Sequence, residues 1–569
     1  MELISQKTKE IMEECKKRAL SAGLSFKGES LEYIVTNQGF LELSPKVMIP
    51  TLYDFWADDV EIVRNKWLYN VYPHNPYETV INTRPPMSFY NDNNPDWLNV
   101  MIFYHVLGHI DFFQNNVFFR NTWNDDFCGQ ALADKRLINR IREEMGDKKR
   151  WVDYVIEFAR GIDNLVGYYG ELGEDDKSVS GNVLGTLSER IRFYFGEFLK
   201  NHYESKTVPI KFYYDEISRL NLSQEQFGQK VGEEVFFDDP FLKSKFPEFK
   251  NAFEKKDKKN KLKPKDILQY LVENSDFINK DENKWMKDIL GIVRRTSLYF
   301  QPQIRTKNSH EGWASLWHER LFVADPRIKS HEVGFALTNS KVVVDPPGGI
   351  GLNPYIGFKR LYEFIEGMAM KGKLSAEYQL LEDAEARKNF DKKLGEDAGK
   401  NTLLEIRKNL NDSMLVNFLS DDDFQDFVDK HNLFVAGRRL NPDKLVIEIY
   451  IKSRSGREYR KMLNDSLYHP PSILINEDKS REGELYLDHV FEGRTLVTEY
   501  IPAVLMGLSY LAGNTISLET TEFDIEREER ENLLFDPEYT PYYKRFRVRY
   551  TCKDKVIEKT MLSADEIGG

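Results

Sequence analysis

Leu3, Ile4, Ile11, Met12 and Leu20 alternate with charged residues along MELISQKTKEIMEECKKRALSAG, which predicts an amphipathic helix ended by Gly23. A second periodic stretch, Pro95–Phe113, is apolar almost all round and predicts a helix buried on every side. Between them, Tyr72–Pro95 (YPHNPYETVINTRPPMSFYNDNNP) is dense in turn formers and aromatics and reads as loop. Residues 131–235 read as mostly helical, with broad amphipathic patterning in ALADKRLINRIREEM and LSERIRFYFGEFLKNHYE. Helical patterns resume over Ile267–Val272, Trp285–Leu298, Glu311–Phe322 and Tyr355–Met370. From about residue 415 the period shortens. LVIEIYIK, GELYLDHVFEG, RTLVTEYI, TISLETTEFDI and RFRVRYTCK read as short strands, with one helix near Ala503–Leu511. The expected architecture is a mainly α body over residues 1–412, followed by a smaller α+β domain over 413–569.

Composition narrows the class of function. The chain has 569 residues, 41% of them hydrophobic and 13% aromatic, enough for two to four folding units and too apolar for wholesale disorder. With 80 Lys+Arg against 92 Asp+Glu the net charge is −12, which argues against a generic nucleic-acid binder. Its three cysteines form no CxxC, which excludes a disulfide framework and a cysteine-built zinc site and fits a reducing cytosol. The N-terminal stretch lacks the unbroken apolar run of a signal peptide. The most apolar run, Ile501–Ala512, is interrupted by Pro502 and Gly507 and is shorter than the ~20 residues of a membrane span. A soluble, cytoplasmic protein is expected. The lysine-rich Lys250–Asp266 reads as a solvated loop, with an electrostatic docking segment as the sharper alternative. The glycines of DPPGGIGLNP do not have GxGxxG spacing and read as a structural turn.

Chemistry concentrates in two segments. His105 and His109, in FYHVLGHIDFF, are four residues apart and share one helical face, the geometry with which two imidazoles grip one metal ion. Gly108 between them permits close approach of a neighbour. In SHEGWASLWHERLF, Glu311, Ser315, His318 and Phe322 again lie along one face. Two histidines and a glutamate are a catalytic zinc set with one open position, and two histidines with a carboxylate also suit iron(II). The expected cofactor is a divalent metal held by His105, His109 and Glu311, with His318 as fourth ligand or orienting partner. Zinc is the first choice and iron(II) or manganese the alternatives. The bland alternative is a set of hydrogen-bonded core side chains.

The Glu-Gly-Trp-Ala-Ser run at Glu311 resembles the segment with which gluzincin aminopeptidases supply their third zinc ligand, so the resemblance implies a zincin-like helical body. Val106, however, stands where HExxH carries its general-base glutamate. Asp111, His318 and Glu366 are the remaining acid–base candidates.

Longer blocks carry a second resemblance. HVLGHIDFFQNN, QPQIRTKNSHEGWASLWH and PGGIGLNPYIGFKRLYEFIE are similar to the SpoVR (stage V sporulation protein R) family, as are Phe427–Phe434, Gly483–His489 and Ser517–Thr520. The likeness runs from about residue 60 to 520, with His310 where the family usually has Asn. It implies a role in sporulation and spore cortex formation or, in non-sporulating bacteria, in stress response. It also implies a PrkA-type serine kinase and a von Willebrand factor A-like protein as partners. It implies no defined reaction. Two functions follow as expectations: a metal-dependent hydrolase-like protein lacking the usual glutamate, or a non-enzymatic scaffold in a kinase complex. A hydrolase acting directly on peptidoglycan is the weakest reading, because no export signal is seen.

Overall fold

The computed structural model describes residues 2–36, 78–83, 85–119, 127–166, 189–199, most of 216–253, 266–343, 354–441, 446–481, 483–525 and 543–567. Two segments read above, lysine-rich 254–265 and the glycine loop at 347–353, lie outside them, as do His74 and His202. The described chain is mainly helical, with a smaller sheet region towards its C-terminus. Helix α1 (Gln6–Ala22) starts where the Ser5 hydroxyl accepts the Thr8 amide and stops at Gly23, whose φ of 108° is left-handed. Helix α2 (Asp96–Asn115) follows Pro95 and buries nearly every residue from Leu98 to Phe113, as its unbroken apolar pattern requires. Further along, beyond the helix Phe127–Met145, lie α3 (Arg150–Arg160) and, after several shorter helices, α4 (Trp285–Arg305). One residue, Thr306, separates α4 from α5 (Lys307–Val323), followed by α6 (Glu332–Val343), α7 (Pro354–Met370) and α8 (Glu396–Asn409). Helix α9 (Ile501–Ala512) has Pro502 in its first turn, where no amide is missed, and ends at the left-handed Gly513.

The turn-rich stretch before α2 is not all loop. It contains β3 (Glu78–Ile81) and β4 (Met87–Asn91), which join β1 (Glu2–Leu3) and β2 (Leu31–Val35) in a sheet of order β1-β2-β4-β3. Only the β2–β4 pairing is parallel. The turn formers around Pro85 and Pro86 make the β3–β4 connection, and Ser88 to Asn91 are buried. In the C-terminal part, β5 (Val435–Asn441) and β6 (Val446–Ser453) form a ribbon. A five-stranded sheet runs β11-β10-β9-β8-β7, from β7 (Ser472–Ile475), β8 (Glu484–Val490), β9 (Thr515–Ile525), β10 (Tyr543–Lys553) and β11 (Val556–Ile567). RTLVTEYI is not a strand: it is turn and loop running into α9, the crossover that makes β8 and β9 parallel.

Two large apolar clusters hold these elements. One gathers α1, α2, α5, α7 and α8 with residues through Leu467. The other joins α3, α4 and α9 to the inner face of the five-stranded sheet. Each draws side chains from both sides of residue 412. Among the described residues no helix is long and apolar enough to cross a membrane.

Candidate metal centre

Helix α5 lies at backbone contact between α2 and α7. A Cβ on Gly108 would stand 2.7 Å from Cα of Ala314, and one on Gly312 would stand 2.7 Å from Cβ of Phe358 and 2.9 Å from the Lys359 nitrogen. Trp313 locks the crossing: it is fully buried, and its Nε1 donates to Asp111 Oδ2 at 2.9 Å. This approach sets the His105–His109 face of α2 against Glu311 on α5.

Nε2 of His105 and Nε2 of His109 are 3.1 Å apart. Glu311 Oε2 lies 3.6 Å from the first and 3.5 Å from the second. Three atoms with these separations lie on a circle of radius about 2.0 Å, which matches the ~2.0–2.2 Å between zinc and imidazole nitrogen or carboxylate oxygen. The carboxylate separations exceed the ~2.7–3.2 Å of an N–H···O hydrogen bond. His105 and His109 are 7% and 6% exposed. The Glu311 side chain keeps 20% exposure. Among the described residues these three form a group able to hold a metal ion.

The bonds behind the cluster assign its protons. Glu319 Oε2 accepts from Asn339 Nδ2 at 3.1 Å and pairs with Lys359 Nζ at 2.9 Å. Asn339 Oδ1 therefore faces His318 Nε2, at 2.9 Å, as acceptor. Burial pushes the His318 imidazole down to about 3, so it is neutral and its Nδ1 is an acceptor. His105 Nδ1 must then donate to it across 2.9 Å. In that tautomer His105 Nε2 is an acceptor, 3.1 Å from His109 Nε2 and 3.6 Å from Glu311 Oε2. Both nitrogens of His318 are thus engaged in hydrogen bonds, to His105 and to Asn339.

Burial also drives His109 well below the usual imidazole range and His310 to about 4. Burial acts to raise Glu311, but the imidazoles of His109, His105 and His310 outweigh it and hold the carboxyl at about 2. At neutral pH His109, His310 and His318 are neutral imidazoles near the Glu311 carboxylate, and imidazole with carboxylate is a donor set for zinc or iron(II). His310 packs its ring against His109 at 5.1 Å and Phe113 at 5.2 Å, with Nε2 3.8 Å from Glu311 Oε1.

The other acid–base candidates do not converge here. Asp111 is about 200° round α2 from His109. It accepts the Ser25 amide at 2.7 Å and the Trp313 indole, and pairs with Arg407 at 3.4 Å. Burial pushes its carboxyl up to about 6 although Arg407, Ser25 and Trp313 act to lower it. Glu366 is held in a two-pronged pair with Arg320. Three residues that sequence spacing did not reveal support the cluster: Asn339, Glu319 and Asp412. Asp412 caps α5 from a distant segment by accepting the Asn308 and Ser309 amides at 3.0 and 2.7 Å.

If His318 fixes the His105 ring, His318→Phe should lower affinity for added zinc by ~10–100-fold without abolishing binding. Zinc titration against a competing chelator measures this, and unchanged affinity would rule out the orienting role.

A family model described as SpoVR like protein matches residues 2–469. The uncharacterized protein YcgB of Escherichia coli (strain K12) is 23% identical over 344 residues, a match spanning 57% of each chain. The chain therefore covers little more than half the length of that relative. No solved structure matches significantly. The family match spans the helices that carry His105, His109, Glu311 and His318 and most of the chain besides, and on that extent the chain belongs to the SpoVR family.

Proposed function

We propose that this SpoVR-family protein binds one divalent metal ion, zinc before iron(II) or manganese, through His105 Nε2, His109 Nε2 and Glu311 Oε2. The observation that carries the reading is the spacing of the three donors, too wide for hydrogen bonds to Glu311 and right for ligands of one ion. Asn339 and His318 keep the His105 lone pair turned inward, Glu311 contributes the negative charge, and the aromatic wall of Phe112 and Phe113 limits access of water. A divalent ion bound there supplies Lewis-acid chemistry, lowering the pKa of a bound water and polarising a carbonyl or amide. In that respect the protein is a divergent, gluzincin-like metalloprotein of cytoplasmic sporulation or stress physiology, its substrate open. Metal analysis of protein purified without chelator tests the reading. About one ion per chain is expected in the wild type and near zero in His105→Ala and Glu311→Ala. Equal, near-zero content in all three would end it.

A second reading rests on a separate observation. Val106 occupies the base position, and the candidate carboxylates Asp111 and Glu366 are engaged in other bonds. On this reading the ion is structural, and the protein is a non-enzymatic scaffold for a PrkA-type serine kinase and a von Willebrand factor A-like protein. Pull-down from cells expressing both should recover at least one of them under native salt. Recovery of neither would remove it.

A further inference from the structure

A cavity of about 320 Å³ lies between the end of α3 and the C-terminal sheet and shares no residue with the His105–His109–Glu311 cluster. Its size is that of small-molecule sites. Its walls are aliphatic: Ile162 and Leu165 after α3, Leu496 in the connection from β8, and Ile501, Val504 and Leu505 on α9. It opens where β8 ends and the chain crosses over to the parallel β9, and ligands of α/β units collect at such strand ends.

One polar group in the lining is itself buried. His489, 3% exposed, pairs through Nδ1 with Thr520 Oγ1 at 2.8 Å. Its Nε2 has no hydrogen bond among the described residues, and it is not among the side-chain atoms sealed from solvent. The ring is buried, but this nitrogen stays open to the cavity and is a polar point available to a group bound there. The charges at the rim are balanced. Arg494 donates to the Asn464 and Asp465 carbonyls and lies 3.7 Å from the Asp465 carboxylate, while Glu492 pairs with His469 at 2.9 Å. Among the described lining residues no unpaired cation is left for an acidic head group.

We propose that this cavity binds a small neutral amphiphile, an aliphatic body in the apolar walls with one hydroxyl or carbonyl head on His489 Nε2. A hydroxyl satisfies either tautomer of the ring, since it donates and accepts.

The test titrates octan-1-ol and octanoate into the full chain, followed by calorimetry and saturation-transfer NMR. Octan-1-ol should bind saturably and at least tenfold tighter than octanoate. Val497 lines the mouth and is 57% exposed, so Val497→Trp should leave folding intact and weaken octan-1-ol at least tenfold. His489→Phe should weaken it at least threefold. If that variant melts early, Thr520→Val, which releases the ring, takes its place with the same expectation. Three results would each overturn the proposal: no saturable binding, binding indifferent to Val497→Trp, or octanoate equal to octan-1-ol. Tenfold tighter capture of an amphipathic leucine-rich peptide that displaces octan-1-ol would overturn it in favour of a protein-docking groove.

Discussion

Gly108→Val should lower the unfolding free energy by about 3 kcal/mol and strip the protein of the metal proposed above. A side chain at this position meets Cα of Ala314 at 2.7 Å and its Cβ at 3.2 Å. Both atoms belong to the rigid part of α5, so no flexible tip can swing aside and the helices must part. In helix propensity alone valine is better than glycine by a few tenths of a kcal/mol, which is far too little to offset the overlap. Parting the helices also moves Glu311 off His105 and His109. Their separations of 3.5 and 3.6 Å leave little slack for one ion to touch all three. Gly367→Ala on α7 is the contrast, because a Cβ there meets nothing within 4 Å. That change should stabilise by ~0.5–1 kcal/mol and leave metal content alone. Denaturant unfolding and metal analysis of the two variants decide the matter. A Gly108→Val protein as stable as the wild type would show that the crossing is loose.

The same crossing shows how far the sequence was legible. The all-round apolar pattern of α2, the shared face of His105 and His109, and the role of Gly108 were visible in one segment, and the structure keeps them. The meeting with Glu311 rested on two helices with matching faces, and α5 does bring it there. His318 is legible too, on the Glu311 face of α5, but local pattern could not reveal how its bonds run behind the cluster. His318 lies two turns along α5 from Glu311 and reaches His105 from the rear, while Asn339 and Glu319 order the protons through contacts between α5 and α6. The first sheet escaped detection for a different reason. Strands β3 and β4 are four and five residues long and embedded among prolines and asparagines, and β2 pairs in parallel with a strand more than 50 residues away. RTLVTEYI carries strand-like apolar residues, but Pro502 at the start of α9 makes the stretch a helix entrance.

Asp412→Ala should destabilise the protein by about 2 kcal/mol at pH 7.5 and by about 3 kcal/mol at pH 5. Helix α5 has no side-chain cap of its own, since Thr306 makes none. Asp412 takes that place by accepting the Asn308 and Ser309 amides and the Ser309 hydroxyl. Alanine leaves those donors unpaired in a buried place. The pH dependence has a definite sign. Burial pushes the Asp412 carboxyl from 3.8 up to about 6, against the pull of Ser309 and Asn308. Between those values the folded chain holds a proton that the unfolded chain has released, so this group's contribution is full below 3.8 and declines as pH rises to 6. Between pH 7.5 and pH 5 that amounts to about 1.4 kcal/mol. Urea unfolding of both proteins at the two pH values measures it. A cost that grew with pH would mean an ionised cap with a depressed pKa. The first turn of α5, Lys307 to His310, runs directly into Glu311, so fraying it should also loosen the carboxylate. Zinc affinity of Asp412→Ala should fall together with stability, although Asp412 is not one of the three clustered donors.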